Sequence, residues 1–172
     1  MNKILLTLAV AFTAFTARAQ NFPNLTATSL ENKTVSIPQS TQGKYTIVGL
    51  VYSQKATEVL APWFQNVYNY FIADPDYDLN VFFVPMLGGV KEAAAGSLEK
   101  ELKKGTPPEL YKHVLIYKGD VGSYKSALKM DQKDIPYIFV LDKQGKIVYQ
   151  TSGAYSDEKI EKMDELVAEE GE

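Results

Sequence analysis

The chain has 172 residues, with 18 Lys and Arg against 21 Asp and Glu, one histidine, eleven tyrosines and no cysteine. The missing thiol excludes disulfide exchange, cysteine-based peroxidase chemistry and thiolate metal sites. A net charge of −3 argues against nucleic acid as the main partner, because phosphate binding needs clustered Lys and Arg.

The first residues read as a secretory signal. Lys3 gives a positive start, Ile4 to Phe15 form an apolar run, and Ala17-Arg18-Ala19 places small residues where a signal peptidase inspects the chain. The run is too short for a spanning helix, which takes roughly 20 apolar residues. No cysteine follows it, so no lipid anchor on cysteine is available, and no stable membrane anchor is expected after cleavage. The expected organisation is a signal peptide over 1–19 and one domain over 20–172, exported to the periplasm or secreted. Removing Lys3 and Arg18 takes the net charge to −5.

In chain order, Thr26 to Leu30, a turn at Glu31-Asn32-Lys33, and Thr34 to Ile37 predict a hairpin stopped by Pro38. Tyr45 to Tyr52 is a continuous apolar, β-branched run, as in a strand buried on both faces. A helix is predicted over 56–72, where Leu60, Trp63, Phe64, Val67, Tyr68 and Phe71 recur at spacings of three and four. Pro62 falls inside it and predicts a kink or a late start. Leu79 to Met86 reads as a second buried strand, Val90 to Lys103 as a helix, and His113 to Tyr117 as a short strand. A short helix follows over 122–130. Tyr137 to Leu141, the turn Asp142 to Gly145, and Lys146 to Gln150 form a second hairpin. Ser156 or Asp157 then caps a final helix carrying Ile160, Met163, Leu166 and Val167. Alternating strands and helices closed by a hairpin and a helix imply an α/β fold with a mixed central sheet flanked by helices.

Several residues invite chemistry. Ser53 and Lys55 form the outline of a nucleophilic pair, but nothing adjacent supplies an oxyanion hole or lowers the lysine pKa. His113, the sole histidine, opens a strand and reads as a packing or hydrogen-bonding residue. Asp74, Asp76 and Asp78 imitate the start of a calcium loop, yet Leu79 and Pro85 stand where that loop needs glycine and glutamate. Trp63 lies on the apolar stripe of its helix and reads as core. Asn24-Leu25-Thr26 and Asn32-Lys33-Thr34 have the form of glycosylation sequons. No catalytic set, metal site or cofactor motif emerges.

Two places resemble the thioredoxin-like superfamily. One is the buried strand Ile47 to Tyr52 running through a loop into a long helix. The other is Ile135-Pro136 before the strand Tyr137 to Leu141, a turn and Lys146 to Gln150. Phe22-Pro23 and the hairpin after it are similar to the exported thiol reductase and peroxiredoxin branches. "HVLIYKGDVGSYKSAL" and "YIFVLDKQGKIVYQTSGAYSDEKIEKM" are similar to the thioredoxin-like assembly factors of the mitochondrial ATPase. The resemblance implies a thioredoxin-like fold with an N-terminal β-hairpin, a cis bond before Pro136, and a peptide-gripping corner beside the loop. Where redox relatives carry cysteines, this chain has Ser53-Gln54-Lys55-Ala56. Thiol exchange needs one thiolate to attack and another to leave, and neither is here.

The reading from sequence is a non-redox module that binds a protein or peptide partner or assists assembly. Its expected face is Tyr52, Ser53, Gln54, Lys55, Ile135 and Pro136. A metal-free hydrolase built on Ser53 and Lys55, and a domain that interacts through a different surface, stand as alternatives.

Overall fold

The computed structural model describes residues 20–89 and 92–168, so the predicted signal segment lies outside the described residues. Seven strands and four α-helices follow one another. They are β1 (Leu25–Ser29), β2 (Thr34–Ile37), β3 (Thr46–Val51), α1 (Gln54–Val67), β4 (Asn80–Leu87) and α2 (Glu92–Gly105). Then come β5 (Leu115–Lys118), α3 (Gly122–Leu128), β6 (Tyr137–Leu141), β7 (Ile147–Ser152) and α4 (Asp157–Ala168).

All strands join one sheet in the order β2-β1-β5-β4-β3-β6-β7. The pairs β3–β4 and β4–β5 are parallel; the remaining pairs are antiparallel. The N-terminal hairpin is thus no separate arm, because β1 also pairs with β5. β3 lies between β4 and β6, which explains why all six of its residues are buried. Its side chains alternate between two cores, as the pleat requires. Val48 and Leu50 pack with Leu115, Phe139 and the α3 residues Tyr124 and Leu128. Ile47 and Val51 pack with Trp63 and Val67 of α1 and with Ile160 and Met163 of α4. Gly49 fills a place where any side chain would collide, since an added Cβ would lie 2.8 Å from Phe83 Cδ1.

The first helix departs from the predicted boundaries. It starts at Gln54, two residues early, and runs unbroken through Pro62 before a π turn over Tyr68–Ile72. Pro62 is exposed, so the Glu58 carbonyl that loses its helical donor faces solvent, and the helix tolerates the proline. His113 does not open a strand. It ends a 3₁₀ turn over Pro108–His113, and β5 begins at Leu115. Among the described residues the cis peptide bond is Ile37–Pro38, not Ile135–Pro136. No helix among these residues is long and apolar enough to cross a membrane.

Candidate binding groove

The C-terminal ends of β3 and β4 hand the chain to the two helices that border the groove. β3 ends at Val51, and Ser53 caps α1: its Oγ accepts the Ala56 N–H at 3.0 Å. This is the ordinary use of serine before a helix. The same hydroxyl lies 3.1 Å from the Lys133 carbonyl and 3.0 Å from Asp134 Oδ1. No hydrogen bond links Ser53 to Lys55, whose side chain is exposed. The nucleophilic pair imagined from sequence is therefore absent, and the serine hydroxyl is occupied in holding the loop before β6.

Tyr52 does related work. Its hydroxyl donates to the Met130 carbonyl at 2.8 Å, and the Lys125 ammonium lies 5.2 Å from its ring centroid. Burial, followed by the neighbouring Tyr137, pushes the Tyr52 phenol up to about 12, so it stays neutral and donates. Tyr137 OH accepts the Gln132 N–H at 2.7 Å and returns a bond to the Gln132 carbonyl at 3.1 Å. Three hydroxyls thus pin the segment 130–134 over the start of β6.

Two of the six residues of the expected face, Ile135 and Pro136, do not stand open beside the loop. Pro136 is buried and trans, and its carbonyl accepts the Gly153 N–H at 2.9 Å. Ile135 is half-buried and packs against the core beneath α3. The segment that leads into this corner is held by the Tyr52, Ser53 and Tyr137 hydroxyls. Tyr52, Ser53 and Gln54 also border a cavity of about 760 Å³, of which Lys55 is not part.

This cavity runs between α1 and α2 over the end of β4. Gln54, Thr57, Glu58 and Ala61 line one wall at i, i+3, i+4 and i+7 of α1; Leu98, Glu101 and Leu102 line the other. Pro85, Met86 and Leu87 form the floor. A second cavity of about 300 Å³ continues it, sharing Thr57, Ala61, Pro85 and Leu102 and adding Leu60 and Phe64. The sequence reading missed the α2 wall. Its signal was the thin stripe Ala95, Leu98 and Leu102, of which only Ala95 is fully buried.

The remaining candidates have structural work. His113 Nδ1 donates to the Val81 carbonyl at 2.9 Å, which fixes the tautomer and leaves Nε2 buried without a partner. Asp74 Oδ1 accepts the Asp76 N–H, and Asp78 pairs with Lys44, as in a surface turn. Trp63 is fully buried, and its Nε1 donates to the Gly153 carbonyl at 3.0 Å.

The profile of the ATP10 protein family matches residues 12–169. The chain belongs to this family. No curated protein matches it. Its fold is similar to that of the exposed lipoprotein thioredoxin Etrx1 of Streptococcus pneumoniae, at 16% identity and a TM-score of 0.58, covering 83% of this chain and 98% of that one. It is also similar to a thio-disulfide isomerase from Thermus thermophilus, at 14% identity and a TM-score of 0.56, over 87% of this chain and 95% of that one. BsSco, a member of the Sco family of cytochrome c oxidase assembly proteins, shares 13% identity at a TM-score of 0.57, over 89% and 96%. The fold is thioredoxin-like, as the sequence resemblance implied. Within that fold this ATP10 family member offers no thiol, and Ser53-Gln54-Lys55-Ala56 opens α1.

Proposed function

We propose that this protein is an exported, thiol-free assembly factor that holds a segment of a partner protein in the groove between α1 and α2. The observation that carries the reading is the position of the groove. It opens from Tyr52, Ser53 and Gln54, at the loop where redox relatives keep their chemistry, and here it contains no thiol. Membership of the ATP10 family supports an assembly role with protein clients, and by resemblance the client is a component of the ATPase. Export rests on the apolar run and the Ala17-Arg18-Ala19 site.

The test is replacement of the chromosomal copy by an Ala61→Trp variant, with Glu161→Ala, exposed on α4, as the control. Ala61 is exposed on α1 and lines both cavities, so an indole there obstructs the groove without disturbing the core. Native electrophoresis of membrane complexes should show less assembled ATPase with Ala61→Trp and a normal amount with Glu161→Ala. Equal assembly in both strains, with the variant folded by circular dichroism, rejects the groove as the working surface.

A further inference from the structure

Resting on the groove reading above, we infer that the occupant is an apolar peptide segment carrying basic side chains, which Glu58 and Glu101 recognise from opposite walls.

The pattern of the two helices comes first. α1 lines the cavity with Gln54, Thr57, Glu58 and Ala61, and α2 answers with Leu98, Glu101 and Leu102, each set on one helical face. Helices that present matching stripes normally interdigitate and leave few voids. Here a gap of about 760 Å³ separates them, continued by about 300 Å³ over Phe64 and Leu60. The floor of Pro85, Met86 and Leu87 is apolar, and it includes a methionine, a side chain that adapts to varied partners. Such a space suits an inserted apolar segment.

Charge then selects among apolar segments. The lining of both cavities contains two carboxylates, Glu58 and Glu101, and no Lys, Arg or His. Both glutamates are exposed, and neither takes part in a hydrogen bond or ion pair among the described residues. Glu99, by contrast, two residues before Glu101 on α2, is already paired with Lys103 at 2.8 Å. Two unpaired carboxylates on opposite walls of this slot repel acidic partners and attract basic ones, a device that sets specificity and register more than raw affinity. An acidic segment would add like charges to both walls.

Three labelled synthetic helical peptides of equal apolar content test this, differing only in carrying Lys, Gln or Glu at two flanking positions. Fluorescence anisotropy with the full mature chain should show the Lys peptide binding about tenfold more tightly than the Glu peptide at low salt, as two rim pairs allow. The Glu58→Gln/Glu101→Gln variant should abolish that preference while still binding the Gln peptide. Equal affinities for the three peptides, or no binding of any, overturn the basic occupant. Failure of the groove itself is seen separately: binding that Ala61→Trp leaves untouched occurs elsewhere on the molecule. Equal binding that Ala61→Trp removes keeps the groove and discards only its charge preference.

Discussion

Ser53 Oγ lies 3.0 Å from Asp134 Oδ1, eighty-one residues further along the chain. The bond joins the start of α1 to the segment that precedes Pro136. It places the most reactive-looking side chain of the loop in a structural role, and the first expectation follows from that. Ser53→Ala should lower stability by about 1 kcal/mol, the usual worth of an N-cap, seen as a reduced urea midpoint. Peptide binding in the groove should be unaltered. A variant of unchanged stability that no longer binds would mean the hydroxyl touches the ligand.

His113 gives a pH dependence. Burial of the ring holds its pKa below the ordinary value; the Val81 carbonyl opposes this and Lys112 adds to it. The folded protein therefore takes up a proton less readily than the unfolded chain, whose histidine titrates near about 6.5. Stability is complete above that value and falls as the pH drops through the window below it. Urea denaturation at pH 7.5 and pH 5 should show this loss, and His113→Gln should flatten it. An equal slope in the variant would assign the effect to other groups.

Trp63 ties α1 to the end of β7. It is fully buried, bonded to the Gly153 carbonyl, and packed edge-on to Tyr155 at 5.6 Å between ring centroids. Trp63→Phe should cost on the order of 2–3 kcal/mol, through lost volume and an orphaned carbonyl. A calorimetric midpoint within a degree of wild type would contradict that packing role.

Export makes a prediction at the N-terminus. The Gln20 carbonyl accepts the Ile147 N–H at 2.8 Å, the Phe22 N–H donates to the Gly145 carbonyl at 3.1 Å, and Phe22 is buried. Cleavage after Ala19 would leave these contacts in place. Intact mass and N-terminal sequencing of protein from the producing cell should give Gln20 as the first residue. A chain beginning at Met1 would reject a cleaved signal.

Much of the fold was legible because it rests on local pattern. The unbroken apolar runs of β3 and β6, the three-and-four spacing of α1 and the Asp142–Gly145 turn are signals within single windows of sequence. There, Asp142 Oδ1 accepts the Gln144 and Lys146 N–H groups, and Gly145 takes a φ of +82°. The burial at Ile135 and Pro136 was not legible. The segment before Pro136 is held by bonds from Tyr52 and Ser53 to carbonyls about eighty residues away, and no local pattern encodes these. The α2 wall escaped for a similar reason. A thin stripe of Ala95, Leu98 and Leu102 shows that a helix has an apolar side, but not that the side opposes α1 across a gap.

The measurement that bears most directly on the groove is site-specific photo-crosslinking in the living cell from position 57, which lines both cavities. Position 161, exposed on α4, serves as the control. A discrete adduct with one ATPase component from position 57, absent from position 161 and lost when Ala61→Trp is added, is the predicted result. No adduct from position 57, or the same adducts from both positions, would contradict a partner-binding groove between α1 and α2.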